Sequence, residues 1–235
     1  MSRCNKIVLA ADDFISLLFP RLCQACDRPL VRNENIICTA CMLDLPLTNY
    51  HRERENRLEK SFYGRCYLEK AASWTFYREG GISQKLIHRL KYGGVKPIGH
   101  FLGRIYGSVL KKSGFGDQLD CIVAVPLHPS KQRKRGFNQS GLIAEGMSSS
   151  LGIPFYENIL VRTKASGTQT TKHRYDRWKN VEGIFSVMQK GKIEGKHVLL
   201  VDDVITTGST IEACATELLK IIGVRVSVAA IASVE

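Results

Sequence analysis

The chain has 235 residues, 44% hydrophobic and 24% charged, which suffices for one sizeable α/β core or a core with a small appendage. A formal net charge of +12 implies a polyanionic substrate or partner, and nucleic acid, pyrophosphate-bearing nucleotides and an anionic membrane surface all fit. No apolar stretch approaches the about 20 residues of a membrane span, and the run at residues 7–11 meets Asp12 and Asp13 too early for a signal-peptide core, so a cytoplasmic protein without membrane insertion is expected.

Ile7, Ala11, Phe14, Ile15 and Leu18 recur at helical spacing over Lys6 to Phe19, and Pro20 ends that helix, which is expected to pack on the body of the protein. Two C-x-x-C pairs follow, Cys23 with Cys26 and Cys38 with Cys41. In a reducing compartment clustered cysteines read as metal ligands. Two such knuckles have the spacing of a four-cysteine zinc site that holds together a segment too small for its own core. A redox dithiol explains only one pair, and iron shares the same ligands. Cys4, Cys66, Cys121 and Cys214 lack paired spacing and read as ordinary small or buried thiols.

Residues 50–60 are charged and mixed in sign, the pattern of a solvated linker or an exposed helix face. The domain boundary is placed here, giving 1–60 as N-terminal helix and zinc segment and 61–235 as the main domain. Ala71 to Tyr77 reads as a strand, and Ile82 to Leu90 and Ile98 to Leu110 as amphipathic helices. The loop Lys91 to Pro97, with His88 and Arg89 before it, is either a source of cations for a site or a plain exposed turn. Cys121 to Pro126 reads as a buried strand followed by a basic loop containing Lys131, Arg133, Lys134 and Arg135. Open α/β sheets place ligand loops at such strand ends, so Lys131, Arg133 and Arg135 are expected to contact pyrophosphate or nucleic acid. Asn138 is positioned to cap a helix from Ser140 to Leu151. Arg162 to Arg177 is polar and nearly free of acids; a basic flap carrying Lys172 and Arg174 and a plain disordered loop both account for it. A strand over Lys179 to Val187 and a last one over Val224 to Ala232 complete the sheet elements.

The richest stretch lies between them. Val198 to Val201 reads as a buried parallel strand that Asp202 and Asp203 end. Thr206, Thr207, Gly208, Ser209 and Thr210 then lead into a helix from Ile211 to Leu219. Free backbone N–H groups at a helix start, with hydroxyls and a glycine around them, form a cradle for phosphate. Carboxylates beside a phosphate site make sense when the ligand carries alcohols next to its phosphate, as a ribose 5-phosphate does. Asp202 and Asp203 are then acceptors for the 2′- and 3′-hydroxyls. The alternative, acids capping a turn, explains the pair but not the whole run.

The run resembles the phosphoribosyl pyrophosphate (PRPP) motif of type I phosphoribosyltransferases. With the four cysteines, Leu90-Lys91-Tyr92-Gly93-Gly94, Val125-Pro126-Leu127-His128-Pro129, Arg133 to Gln139 and the segment from Gln169 to Phe185, nearly the whole chain resembles the ComF competence family. The resemblance implies an α/β fold, a type I phosphoribosyltransferase-like parallel sheet flanked by helices, behind a small zinc-ribbon-like segment. It also implies PRPP as ligand, Mg²⁺ as cofactor beside structural Zn²⁺, pentosyl transfer with pyrophosphate release, and a link to single-stranded DNA and competence proteins during natural transformation. A non-catalytic DNA-handling adaptor on the same fold is the competing expectation.

Overall fold

The computed structural model describes residues 19–163 and 184–234. The helix expected over Lys6 to Phe19 and most of the basic flap, with Lys172 and Arg174, lie outside the described residues.

Four parallel strands make the sheet: β1 (Lys70–Phe76), β2 (Cys121–Ala124), β5 (His197–Ile205) and β6 (Arg225–Ser233), in the order β1-β6-β5-β2. Both central strands are buried almost throughout, which is why they are written as near-continuous apolar runs. One face is covered by α3 (Ile82–Tyr92), α4 (Pro97–Lys112) and α6 (Gln139–Leu151). The other carries α7 (Ser209–Leu219) and the antiparallel pair β3 (Leu160–Arg162) and β4 (Phe185–Val187). Two short helices, α1 (Thr39–Leu43) and α2 (Arg57–Lys60), precede the sheet, and α5 (Pro129–Arg135) follows β2.

Helices α4 and α6 touch backbone to backbone. A Cβ on Gly103 would fall 2.1 Å from the Ile143 carbonyl oxygen, and one on Gly146 would fall 2.4 Å from that of His100. Only glycine allows this approach, which seats α4 directly on the middle of α6.

The structure departs from the sequence reading at three places. The strand does not stop at the acid pair, because β6 continues to pair beyond it, Asp202 with Ala230, Val204 with Ala232 and Ile205 with Ser233. Asp202 and Asp203 are therefore strand residues, and successive strand side chains point to opposite faces. The basic stretch after β2 is not an open loop but helix α5, started by Pro129 and ended by Gly136 at φ +79°. Residues 50–60 are not solvated throughout: His51, Asn56 and Leu58 are buried. The Asn56 amide donates to the carbonyls of Tyr50, Glu53 and Ala71, tying this segment to β1.

Candidate functional site

The C-terminal edge of β5 carries the phosphate-type loop. After Ile205 the chain turns through Thr206 and Thr207 to Gly208, at φ +75°, and enters α7 at Ser209. Gly208 offers α7 no side-chain cap, and among the described residues the Ser209 N–H has only a long contact to the Thr207 hydroxyl, at 3.5 Å, so the first turn can still donate to a ligand. The Thr207 and Ser209 hydroxyls lie 3.1 Å apart on the same turn. Asp202 and residues 204–211 line one small pocket. A carboxylate, hydroxyls and a helix start thus share one concavity.

The two aspartates have different surroundings. Asp202 Oδ1 accepts from the Ser140 hydroxyl at 2.9 Å and from the Asp203 N–H at 2.8 Å. Burial, and then the neighbouring Asp203 carboxylate, push its carboxyl up to about 7. Asp203 is 3% exposed and its Oδ1 accepts from Lys91 Nζ at 2.6 Å. Its Oδ2 is buried and has no hydrogen-bond partner among the described residues. The structure brings Asp202 together with the 206–210 loop and sets Asp203 against Lys91, at the end of α3.

The loop rests on residues that sequence reasoning missed. Phe62, 1% exposed, sits under Gly208, where an added Cβ would fall 2.8 Å from ring atom Cε1. Arg65 donates from Nη1 to the Thr207 carbonyl at 2.9 Å and to the Ser61 carbonyl at 3.1 Å. Its Nε and Nη2 donate to Glu212 Oε2 at 3.0 and 2.6 Å. One signal was legible: Glu212 is an acid in the first turn of a helix read as an anion site, and it needed a cation partner. Ser140 and its cap Asn138 complete the opposite side. Asn138 Oδ1 accepts from Ser140 N–H at 3.2 Å while its amide donates to the Val125 carbonyl at 3.0 Å, tying α6 to the end of β2.

On α5, Lys131, Arg133 and Lys134 are exposed. Arg135 is half-buried; it donates to the Gln139 side chain, and its guanidinium lies 5.4 Å from the centre of the Tyr92 ring. That contact joins the end of α5 to the end of α3, beside Lys91. Arg89, for which a cation of the site and part of a plain exposed turn were both open, forms a two-oxygen pair with Asp27, at 2.6 and 2.8 Å, and so ties α3 to the first cysteine knuckle.

The four cysteines converge. The Sγ atoms of Cys23, Cys26, Cys38 and Cys41 all lie within 4.8 Å of one another, and Cys26 Sγ is 3.7 Å from Cys38 Sγ. Four sulfurs at about 2.3 Å from a tetrahedral ion stand about 3.8 Å apart, so the set fits zinc. Backbone N–H groups of Ala25 and Cys38 donate to Cys23 Sγ, at 3.4 and 3.3 Å. Burial raises the Cys23 thiol, but these and further N–H donors outweigh it and bring it to about 7. Cys41 is shifted upwards, by burial and then by the sulfurs of Cys26 and Cys38. Cys23, Cys38 and Cys41 pack with Leu45, Leu86, Leu90 and Leu102 in one core, so this segment is continuous with the sheet domain. Cys121 and Cys214 are buried, and Cys66 is partly so, with its thiol raised to about 11 by burial.

A parallel sheet whose central strand delivers an acid pair and a hydroxyl-glycine loop into a helix start is the phosphoribosyltransferase arrangement. The family model described as phosphoribosyl transferase domain matches residues 138–235, the part from the α6 cap onwards. The class is therefore a phosphoribosyltransferase-fold protein with a four-cysteine N-terminal segment. The relatives narrow it. The DNA utilization protein YhgH of Escherichia coli strain K12 is 32% identical over 206 residues, covering 85% of this chain and 84% of its own. Competence protein F of Haemophilus influenzae is 31% identical over 215 residues, with 86% and 92% covered. Competence protein ComFC of Bacillus subtilis is 25% identical over 203 residues, with 85% and 78% covered. The chain belongs to the ComF competence family. Among the described residues no helix is long and apolar enough to cross a membrane.

Proposed function

We propose that this protein binds PRPP and acts as a Mg²⁺-dependent phosphoribosyltransferase in DNA handling. The observation that carries the reading is the single pocket shared by Asp202 and residues 204–211. On this reading the 5′-phosphate sits on Thr206, Thr207, Gly208, Ser209 and Thr210, held by N–H groups and hydroxyls. Asp202, which lines the pocket, accepts from a ribose hydroxyl; Asp203, set against Lys91 on the other face of the strand, accepts from the neighbouring hydroxyl only when that pair opens. The pyrophosphate extends towards Lys131, Arg133 and Arg135, with Lys172 and Arg174 as further contacts. Breaking the C1–O bond puts positive charge on the ribose and negative charge on pyrophosphate, so acids beneath the ring and cations around the leaving group stabilise both. Mg²⁺ would be held chiefly by oxygens of PRPP and by water, with no dedicated protein cage, and would offset charge on the departing pyrophosphate.

The same reading assigns structural Zn²⁺ to Cys23, Cys26, Cys38 and Cys41, and divides the chain into 1–60 and 61–235. Phe62 and Arg65, which support the loop, fall with the second part. The test is incubation with PRPP, Mg²⁺ and candidate bases or oligonucleotides while pyrophosphate release is followed. Release that requires both PRPP and an acceptor supports transfer; PRPP bound without release under any acceptor would reduce the protein to a PRPP-binding adaptor.

A second reading, a single-strand-binding adaptor, is favoured by α5, whose Lys131, Arg133 and Lys134 are exposed together. It predicts salt-dependent binding to single-stranded DNA that falls in the Lys131/Arg133/Arg135 triple alanine variant.

A further inference from the structure

We propose that Arg65 is a positioning residue that sets the phosphate loop in its binding conformation through the Thr207 carbonyl; this rests on the PRPP reading of that loop. A trans peptide points its C=O and N–H in opposite directions. Arg65 holds the Thr207 oxygen at 2.9 Å on one side of the turn, so the Gly208 N–H of the same peptide is turned to the other. Were this peptide to rotate, the loop would present a carbonyl oxygen where an anion requires a donor.

Arg65 is suited to holding the loop and unsuited to binding the ligand. Its five N–H donors are nearly all committed, to Ser61 and Thr207 carbonyls and twice to Glu212 Oε2. The guanidinium therefore acts on the ligand through the loop backbone. Two further observations bear on its role. Glu212 lies in the first turn of α7, where its charge would repel a phosphate, and the 2.6 Å pair with Arg65 offsets that charge. The Arg65 guanidinium also lies 5.5 Å from the centre of the Phe62 ring, the ring under Gly208, so the same side chain braces the floor and the rim of the loop. A lysine has one donor centre and cannot span Ser61, Thr207 and Glu212 together.

The experiment uses the full chain and the variants Arg65→Ala and Arg65→Lys, with two readouts. The first is amide hydrogen exchange, without ligand, at the Glu212 N–H, which donates to the Gly208 carbonyl at 2.9 Å and so reports on the order of the loop. Both variants are expected to exchange faster there while β5 and β6 stay protected as in wild type. The second is calorimetric titration with ribose 5-phosphate and, separately, inorganic pyrophosphate. Ribose 5-phosphate affinity is expected to drop about tenfold or more in Arg65→Ala, as for loss of a charged hydrogen-bond network, and pyrophosphate affinity to hold. Unchanged exchange in both variants, or equal weakening for both ligands, overturns the inference. If wild type binds neither ligand, the PRPP reading fails, and the exchange readout still decides whether Arg65 orders the loop.

Discussion

Gly208→Ala tests the packing on which the loop rests. Two costs arise. Alanine at φ +75° occupies the left-handed region, at about 1–2 kcal/mol. The new methyl would stand 2.8 and 2.9 Å from Phe62 Cε1 and Cζ, well inside the about 3.5–4.0 Å of a carbon contact, against a ring that is 1% exposed and has no room to retreat. Overpacking of this kind costs about 1–3 kcal/mol. The variant should thus lose about 2–5 kcal/mol in urea denaturation at neutral pH. Phe62→Leu shortens the ring side chain at its own cost of about 1–2 kcal/mol. Combined with Gly208→Ala it relieves the overlap but not the backbone strain, so the double variant should be more stable than the sum of the singles by about 1–3 kcal/mol. Additivity within about 0.5 kcal/mol would show that ring and loop are not in contact, and the account of the floor would be wrong.

Lys91→Met leaves Asp203, whose side chain is 4% exposed, without its cation; a loss of about 2–4 kcal/mol is expected in the same denaturation assay, and Lys91→Met/Asp203→Asn should recover part of it. Asp202 supplies a pH signature: because its carboxyl is raised from 3.8 to about 7, its stabilising contribution is full below 3.8 and is lost as pH rises through about 7. Asp202→Asn should therefore gain in melting temperature relative to wild type as pH goes from 5 to about 8, and a constant difference across that range would contradict the burial argument. The cysteine centre predicts one equivalent of zinc in the purified protein by atomic spectroscopy, with chelation lowering the melting temperature and Cys38→Ser/Cys41→Ser abolishing the metal. Retention of zinc in that variant would contradict the four-sulfur assignment.

Sheet and helices were legible because each is written in the local pattern that builds it. Apolar runs gave β2, β5 and β6, helical periodicity gave α3 and α4, and Asn138 announced α6. The length of β5 was not legible, since it depends on β6 pairing past the acids rather than on residues 202–205 themselves. Helix α5 was obscured because its charged residues have no buried face to create a periodicity. The support from Phe62 and Arg65 was hidden for a different reason. These residues lie more than 140 positions before the loop they hold, in a stretch next to a mixed-charge run that looks solvated. Buried Asn56 and Leu58 show that charged neighbours do not exclude a packed segment. The cysteine cluster, by contrast, was readable from spacing alone, because each knuckle places two sulfurs three residues apart and the fold brings the two pairs together.

The central claim is that one pocket takes a sugar by its alcohols and its phosphate together. Isothermal titration of PRPP with Mg²⁺ into wild type and into Asp202→Ala/Asp203→Ala tests it most directly. Saturable binding by wild type, lost or weakened by at least about tenfold in the double variant, is the predicted result. No binding by wild type, or undiminished binding by a double variant that remains folded, would contradict it.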